Sequence, residues 1–235
     1  MARSSGVSKV QLSKIAKSRS TELSMAFKRL FELVGFLLVV GVFGTGAFAQ
    51  AYNTRRYSVA DGLPSKQIHC VFQDRLGHLW LGTEAGACQF DGRSFQPLEK
   101  GNPLTGDPVY AIYEDSRGDV WFGLQRKGVV RFNGTVFQSF TTKDGLLNDN
   151  VWAIGEDSSG RIWMGTDEGV SIYDGSSFQS LTSGSGLVSG KIFGFHLDSR
   201  NRMWVAAMGG VSMFEGKKIT PLSSSDGLLN NIVYD

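Results

Sequence analysis

Along most of the chain, apolar positions fall in short runs of four to six residues, and glycine, aspartate, asparagine and serine punctuate them. This is the pattern of short strands joined by tight turns. One stretch shows it clearly. A first strand is expected over Val151–Glu156, then the turn Asp157-Ser158-Ser159-Gly160, a second strand over Arg161–Gly165, the loop Thr166–Glu168, a third strand over Gly169–Tyr173, the turn Asp174-Gly175 and a fourth strand over Ser177–Leu181. The second strand does not alternate. Ile162-Trp163-Met164 is apolar at three successive positions, as are Leu79-Trp80-Leu81 and Val120-Trp121-Phe122. A strand that is apolar on both sides is covered on both sides.

The pattern repeats. Trp80, Trp121, Trp163 and Trp204 recur at intervals of 41, 42 and 41 residues. Upstream of them, in the same phase, stand Asp61-Gly62-Leu63, Asn102-Pro103-Leu104, Asp144-Gly145-Leu146, Ser185-Gly186-Leu187 and Asp226-Gly227-Leu228. Downstream stand Phe90-Asp91-Gly92, Phe132-Asn133-Gly134, Tyr173-Asp174-Gly175 and Phe214-Glu215-Gly216. Repeats of this length, four strands each and apolar on both faces, predict an all-β β-propeller. The expectation is four complete four-stranded blades with partial blades at both ends, an incomplete propeller. Residues 50–60 are expected to supply the terminal strand of a closing blade, because Tyr57 falls in phase with Phe140 and Leu181. Residues 61–235 are expected to hold the repeats, with Val233-Tyr234-Asp235 lying in the first strand of a fifth blade. The phase therefore reads as an N-terminal fragment, and a self-closing four-bladed ring is the alternative.

Composition supports a packed β core. Thirty glycines against five prolines suit many turns, and sixteen Phe, six Tyr and five Trp argue against disorder. The charge is uneven. Residues 1–49 hold seven Lys/Arg and two Asp/Glu, which leaves 17 basic against 20 acidic groups beyond them. A mildly acidic body gives no broad surface for a phosphate backbone, and nucleic-acid binding is set aside. The basic charge belongs to an address. Lys28-Arg29 precede the apolar run Leu33–Gly44, and Ala47-Phe48-Ala49 supplies a small-x-small cleavage site before Gln50. Residues 1–49 thus read as a signal peptide cleaved between Ala49 and Gln50, with Met25 a candidate true start, and the product is expected in the periplasm or outside the cell. The uncharged stretch of 17 residues, Leu33–Ala49, is short for a membrane-spanning helix, so a signal anchor is the less favoured alternative.

The unit carried by Asp144-Gly145-Leu146, Glu156-Asp157-Ser158-Ser159-Gly160, Ile162-Trp163-Met164-Gly165-Thr166 and Gly169–Gly175 resembles the two-component regulator propeller repeat. The resemblance covers about Tyr52 to Asp235. It implies the periplasmic sensing part of a two-component-type signalling protein that recognises carbohydrate fragments. The remaining propeller blades and a membrane-linked kinase would be its partners in a full-length parent. The sequence shows neither a connector nor a phospho-acceptor module.

No catalytic constellation is visible. His69, His78 and His196 lie in different units without metal-ligand spacing, and no phosphate loop or nucleophile elbow is present. Neither a cofactor nor a metal site is expected. Asp74, Asp115, Asp157 and Asp198 recur in the same turn and read as turn formers. Cys70 and Cys88 fall on the first and third strands of one blade, roughly 9–10 Å apart at two strand spacings. A disulfide does not reach that far, so two free thiols are expected.

Propeller ligands sit at the axis, on the face that carries the loops between second and third strands. There the second unit inserts one residue, Gln125-Arg126-Lys127, where other units have Glu84-Ala85, Asp167-Glu168 or Ala207-Met208. An insertion confined to one loop points to function, and a solvated loop is the alternative. An aromatic column, His69, Tyr110, Trp152, Phe193 and Tyr234, opens each first strand. Its rings would either stack on sugars or pack between blades. The candidate ligand-binding residues are therefore Gln125, Arg126, Lys127, Glu84, Asp167, Glu168, Tyr110, Trp152 and Phe193. A protein-interaction scaffold and a propeller lyase or hydrolase fragment remain as other readings.

Overall fold

The computed structural model describes residues 54–234 apart from Pro97, Lys100 and Ser189. The signal peptide, the Met25 start and the Ala49–Gln50 cleavage site lie outside the described residues. Arg56–Asp235 form one compact unit, which holds all the sheets.

Sixteen strands make four antiparallel four-stranded sheets, each in simple meander order. The first blade is β1 (Ile68–Gln73), β2 (Leu79–Thr83), β3 (Gly86–Phe90) and β4 (Phe95–Gln96). The second is β5 (Val109–Glu114), β6 (Val120–Leu124), β7 (Val129–Phe132) and β8 (Phe137–Phe140). The third is β9 (Val151–Glu156), β10 (Ile162–Thr166), β11 (Val170–Tyr173) and β12 (Phe178–Leu181). The fourth is β13 (Ile192–Leu197), β14 (Met203–Ala207), β15 (Gly210–Glu215) and β16 (Lys218–Leu222). The first strands lie against one another from blade to blade, β1 on β5, β5 on β9 and β9 on β13, so they form the inner wall.

Four limits on three strands differ from the sequence reading by one residue, for local reasons. Arg161 stays in the turn because its N–H and carbonyl both bond back to Asp157. Gly169, at φ +140°, closes the next turn by accepting the Thr166 N–H, which draws Thr166 into β10. Ser177 likewise closes the Asp174 turn, so β12 opens at Phe178. At the N-terminal side, residues 54–58 form no strand, although residues 50–60 were expected to supply one. Tyr57 nevertheless packs 5.2 Å from Phe90 and 5.3 Å from Phe95, much as Phe140 packs on Tyr173 and Phe178.

Hydrophobic layers fill the joints between blades. Trp80 packs with Val120, Phe122 and Val130; Trp121 with Ile162, Met164 and Tyr173; Trp163 with Met203, Val205 and Phe214. Every residue of β6 and β10 is buried, as the non-alternating runs required. Removing a tryptophan's ~150–250 Å² from water contributes at most about 4–6 kcal/mol per blade.

The recurring Asp-Gly-Leu is a hinge between blades. A short 3-10 turn is capped by Ser58 and Asp61, and again by Thr141 and Asp144 and by Ser223 and Asp226. The following glycine takes a left-handed conformation, for instance Gly145 at φ +104°, which a side chain would strain. Leu63, Leu146 and Leu187 then plug the core. The second unit uses Asn102 instead, whose side chain accepts the N–H of the fully buried Leu104 at 3.0 Å.

Candidate functional site

The turn aspartates prove to have a second structural task. Each accepts the indole N–H of the tryptophan six residues on: Asp74 from Trp80 at 3.0 Å, and Asp115, Asp157 and Asp198 from Trp121, Trp163 and Trp204 at 2.9 Å. Each also accepts two turn N–H groups, as Asp115 does from Arg117 and Asp119. A buried tryptophan N–H needs such a partner. These acids are spent on the fold. Their constant spacing from the tryptophans was the signal in the sequence.

Cys70 and Cys88 are free, as expected. The β2 strand separates them, with Gly82 facing Cys70 and Leu81 facing Cys88. Burial pushes both thiols up to about 11.

The inner wall carries an open cavity of about 370 Å³ that the first strands line, with Tyr110, Trp152 and Phe193 among its walls. The column rings pack tilted against one another from blade to blade, His69 on Tyr110 at 4.4 Å, Tyr110 on Trp152 at 4.3 Å and Phe193 on Tyr234 at 4.8 Å. The column therefore packs between blades, while all three candidate rings remain half-exposed on the cavity.

The loops around this face gather the other candidates into two groups. In the first, His69 Nε2 lies 2.9 Å from Glu84 Oε2, and Tyr110 feels Glu84, Arg126 and Asp107. Burial raises the Tyr110 phenol, the Glu84 charge adds to this, Arg126 opposes it and Asp107 reinforces it. The inserted loop is held down. Arg126 pairs with the buried Asp107 at 2.8 Å and donates its N–H to the same carboxylate, Lys127 Nζ donates to the Thr105 carbonyl at 2.9 Å, and the Gln125 N–H donates to the Pro108 carbonyl. Asp107 was not singled out in the sequence; an acid next to the one irregular unit was the available clue. The Arg126 side chain remains 65% exposed.

In the second group, Asp167 accepts the Trp152 indole N–H at 2.9 Å and the Asn150 side-chain amide at 2.6 Å, and Lys191 Nζ lies 3.6 Å away. Glu168 accepts from Asn148 at 2.9 Å. The Tyr110–Trp152 ring contact joins the two groups. In the fourth blade the pairing identifies Met208-Gly209, not Ala207-Met208, as the counterpart of Asp167-Glu168, because Ala207 ends β14 opposite Gly210. Met208 is exposed, so this blade offers the face an apolar group. In two blades the column residue bonds to the loop residue, His69 to Glu84 and Trp152 to Asp167.

Among the described residues, no cluster of His, Cys, Asp or Glu fits a metal ion, and no helix is long and apolar enough to cross a membrane.

Four-stranded repeats with an aromatic-lined inner wall define a β-propeller. The family model described as two component regulator propeller matches residues 62–85, 103–126 and 145–168, so these three segments are similar to that family's repeat. Among solved structures it is similar to the extracellular domain of the hybrid two component system BT3049 from B. thetaiotaomicron, at 25% identity and a TM-score of 0.67, over 76% of this chain and 25% of that one. It is also similar to the extracellular domain of the hybrid two component system BT4673 from the same organism, at 20% identity and a TM-score of 0.55, over 67% of this chain and 22% of that one. Virginiamycin B lyase from Staphylococcus aureus shares the fold at 16% identity and a TM-score of 0.53, over 67% of this chain and 55% of that one. The chain thus spans about a quarter of the length of the two-component extracellular domains it matches. A comparison with curated proteins found no match.

Proposed function

We propose that this chain is part of the extracytoplasmic sensing propeller of a two-component-type signalling protein, and that its inner face captures oligosaccharide fragments. The observation that carries the reading is the cavity itself. Tyr110, Trp152 and Phe193 line it, and Glu84, Arg126 and Asp167 stand on the adjoining loops. Half-exposed rings offer apolar faces to the C–H surfaces of sugars, and the charged groups between them answer hydroxyls. The 25% identity to an extracellular domain of a hybrid two component system supports the same role. In this reading the propeller is non-catalytic, its signal peptide directs export, and ligand capture biases the attached output module through the remaining blades.

The test is calorimetric titration of the exported chain with a panel of neutral oligosaccharides. Binding in the micromolar to millimolar range is expected, weakened at least tenfold by Arg126→Ala, a change of about 1.4 kcal/mol. Trp152→Ala should abolish binding while the circular dichroism spectrum is unchanged. Saccharide binding that survives Trp152→Ala would place the ligand elsewhere.

A further inference from the structure

The aromatic column has a gap. Rings 69 and 110, 110 and 152, and 193 and 234 meet at a tilt with centroids 4.3–4.8 Å apart, but among the described residues Trp152 and Phe193 make no ring contact. At that joint the Lys191 ammonium sits over the Trp152 ring instead, 3.4 Å from its centroid. Lys191 stands just before its blade's first strand, where the other blades have Gln67, Pro108 and Asn150. It is the one cation at that register.

The surroundings form a cation site. An aromatic face and a carboxylate aimed at one point attract an ammonium group more strongly together than either does alone. Asp167 is fixed for this by the Trp152 indole and the Asn150 amide, which hold both of its oxygens. Lys191 fills the site loosely. Its Nζ is 3.6 Å from Asp167, beyond hydrogen-bonding distance, and it makes no hydrogen bond among the described residues. Its side chain is 30% exposed, on a flexible stem that can swing into water.

We propose that Trp152 and Asp167 form a cation site which Lys191 occupies in cis, and that a ligand carrying a protonated amine, an amino sugar in size and chemistry, enters by displacing it. This rests on the reading of the inner face as the ligand face. A ligand ammonium restores the ring and carboxylate interactions that Lys191 gives up, and the sugar's hydroxyls add hydrogen bonds. Lys191 acts as a competitor within the chain, lowering apparent affinity by the fraction of time the site is closed.

The experiment titrates glucosamine, N-acetylglucosamine and methylammonium into the full chain and follows tryptophan fluorescence. Lys191→Met, which keeps the stem and removes the charge, is expected to bind glucosamine and methylammonium roughly tenfold more tightly than the unaltered chain. N-acetylglucosamine, whose amide is neutral, should show no gain. Lys191→Arg should leave the site closed, and adding Asp167→Asn to Lys191→Met should remove the gain. Should Lys191→Met fail to fold, Lys191→Gln makes the same test. Equal amine affinity with and without Lys191, or a gain that persists in Asp167→Asn, overturns the proposal. Methylammonium binding to Lys191→Met without any sugar binding would uphold the cation site and sink the carbohydrate reading. Trp152-dependent sugar binding that is indifferent to Lys191 would do the reverse.

Discussion

At the scale of single residues, the most informative group is the turn aspartate. Asp115 is fully buried and accepts three hydrogen bonds, from Trp121, Arg117 and Asp119. Replacing it by alanine strands three donors, and we expect a loss of about 3–5 kcal/mol in urea unfolding. Asp198 makes the same contacts at a more open position, its side chain 16% exposed, and Asp198→Ala should cost clearly less. Protonation should act in the same direction. Burial pushes Asp74 and Asp157 up, but the indole and turn N–H groups outweigh it and hold both below the ordinary carboxylate value. The Trp204 indole leads the same effect at Asp198. A carboxylate depressed in the folded state contributes stability that is whole above the unfolded value near 3.9 and lost as pH falls through the lower folded value. Stability should therefore be level in this respect above about pH 5 and decline below about pH 4, which a series of urea midpoints between pH 2 and 7 would show. A midpoint that rises on acidification would contradict the assignment. The sequence showed the aspartates as turn formers because turn chemistry is local. Of the indole bond it carried only the constant six-residue spacing, because the bond itself depends on how the turn folds over the next strand.

At the scale of elements, the four-strand unit was readable almost to the residue. Hydrophobic runs and turn residues act over the same short range as the strands they bound. What the repeat did not reveal was why Trp-x-Gly is needed. A methyl group on Gly82 would meet the Val109 carbonyl at 2.6 Å, and one on Gly165 would meet Ile192 at 2.7 Å. Each β2-type strand thus needs a bare backbone where the next blade's first strand crosses it. We expect Gly165→Ala to destabilise the third joint by roughly 1–3 kcal/mol through overpacking. The fourth blade carries Ala206 at this register, so Ala206→Gly should change stability far less. Paired denaturation curves compare the two, and equal effects would refute the crossing argument. A second contact ties the joints. Glu114 accepts the Arg75 N–H at 2.8 Å, and Glu156 accepts the Ser116 N–H and hydroxyl at 2.8 and 2.6 Å. Leu197 stands in this position in the fourth blade, so that joint lacks the bond. The repeated Glu-Asp-Ser was visible in the sequence, but its action across blades was not, because its partner lies about forty residues away.

At the scale of the whole repeat array, the candidate face straddles the best-buried part of the molecule. Tyr110 and Arg126 belong to the second blade, Trp152 and Asp167 to the third, and the strands behind them, β6 and β10, are buried at every position. Trp121, at the joint between these blades, is fully buried, whereas Trp204 on the outer side of the fourth blade is only partly covered. In repeat proteins stability is the sum of units and their neighbouring interfaces, so interior units open least often. Amide hydrogen exchange should accordingly be slowest in β6 and β10 and fastest in β4, which has two residues and two pairing positions. Protection should fall from the third blade to the fourth. A ligand bound to Trp152 and Asp167 touches the joint where Lys191 of the fourth blade reaches back over the third, so it should change exchange in β13 more than in β6. If protection instead rose uniformly through all four sheets, the array would open as one cooperative body, and the joint beside Lys191 could not serve as the place where capture is converted into a change of blade packing.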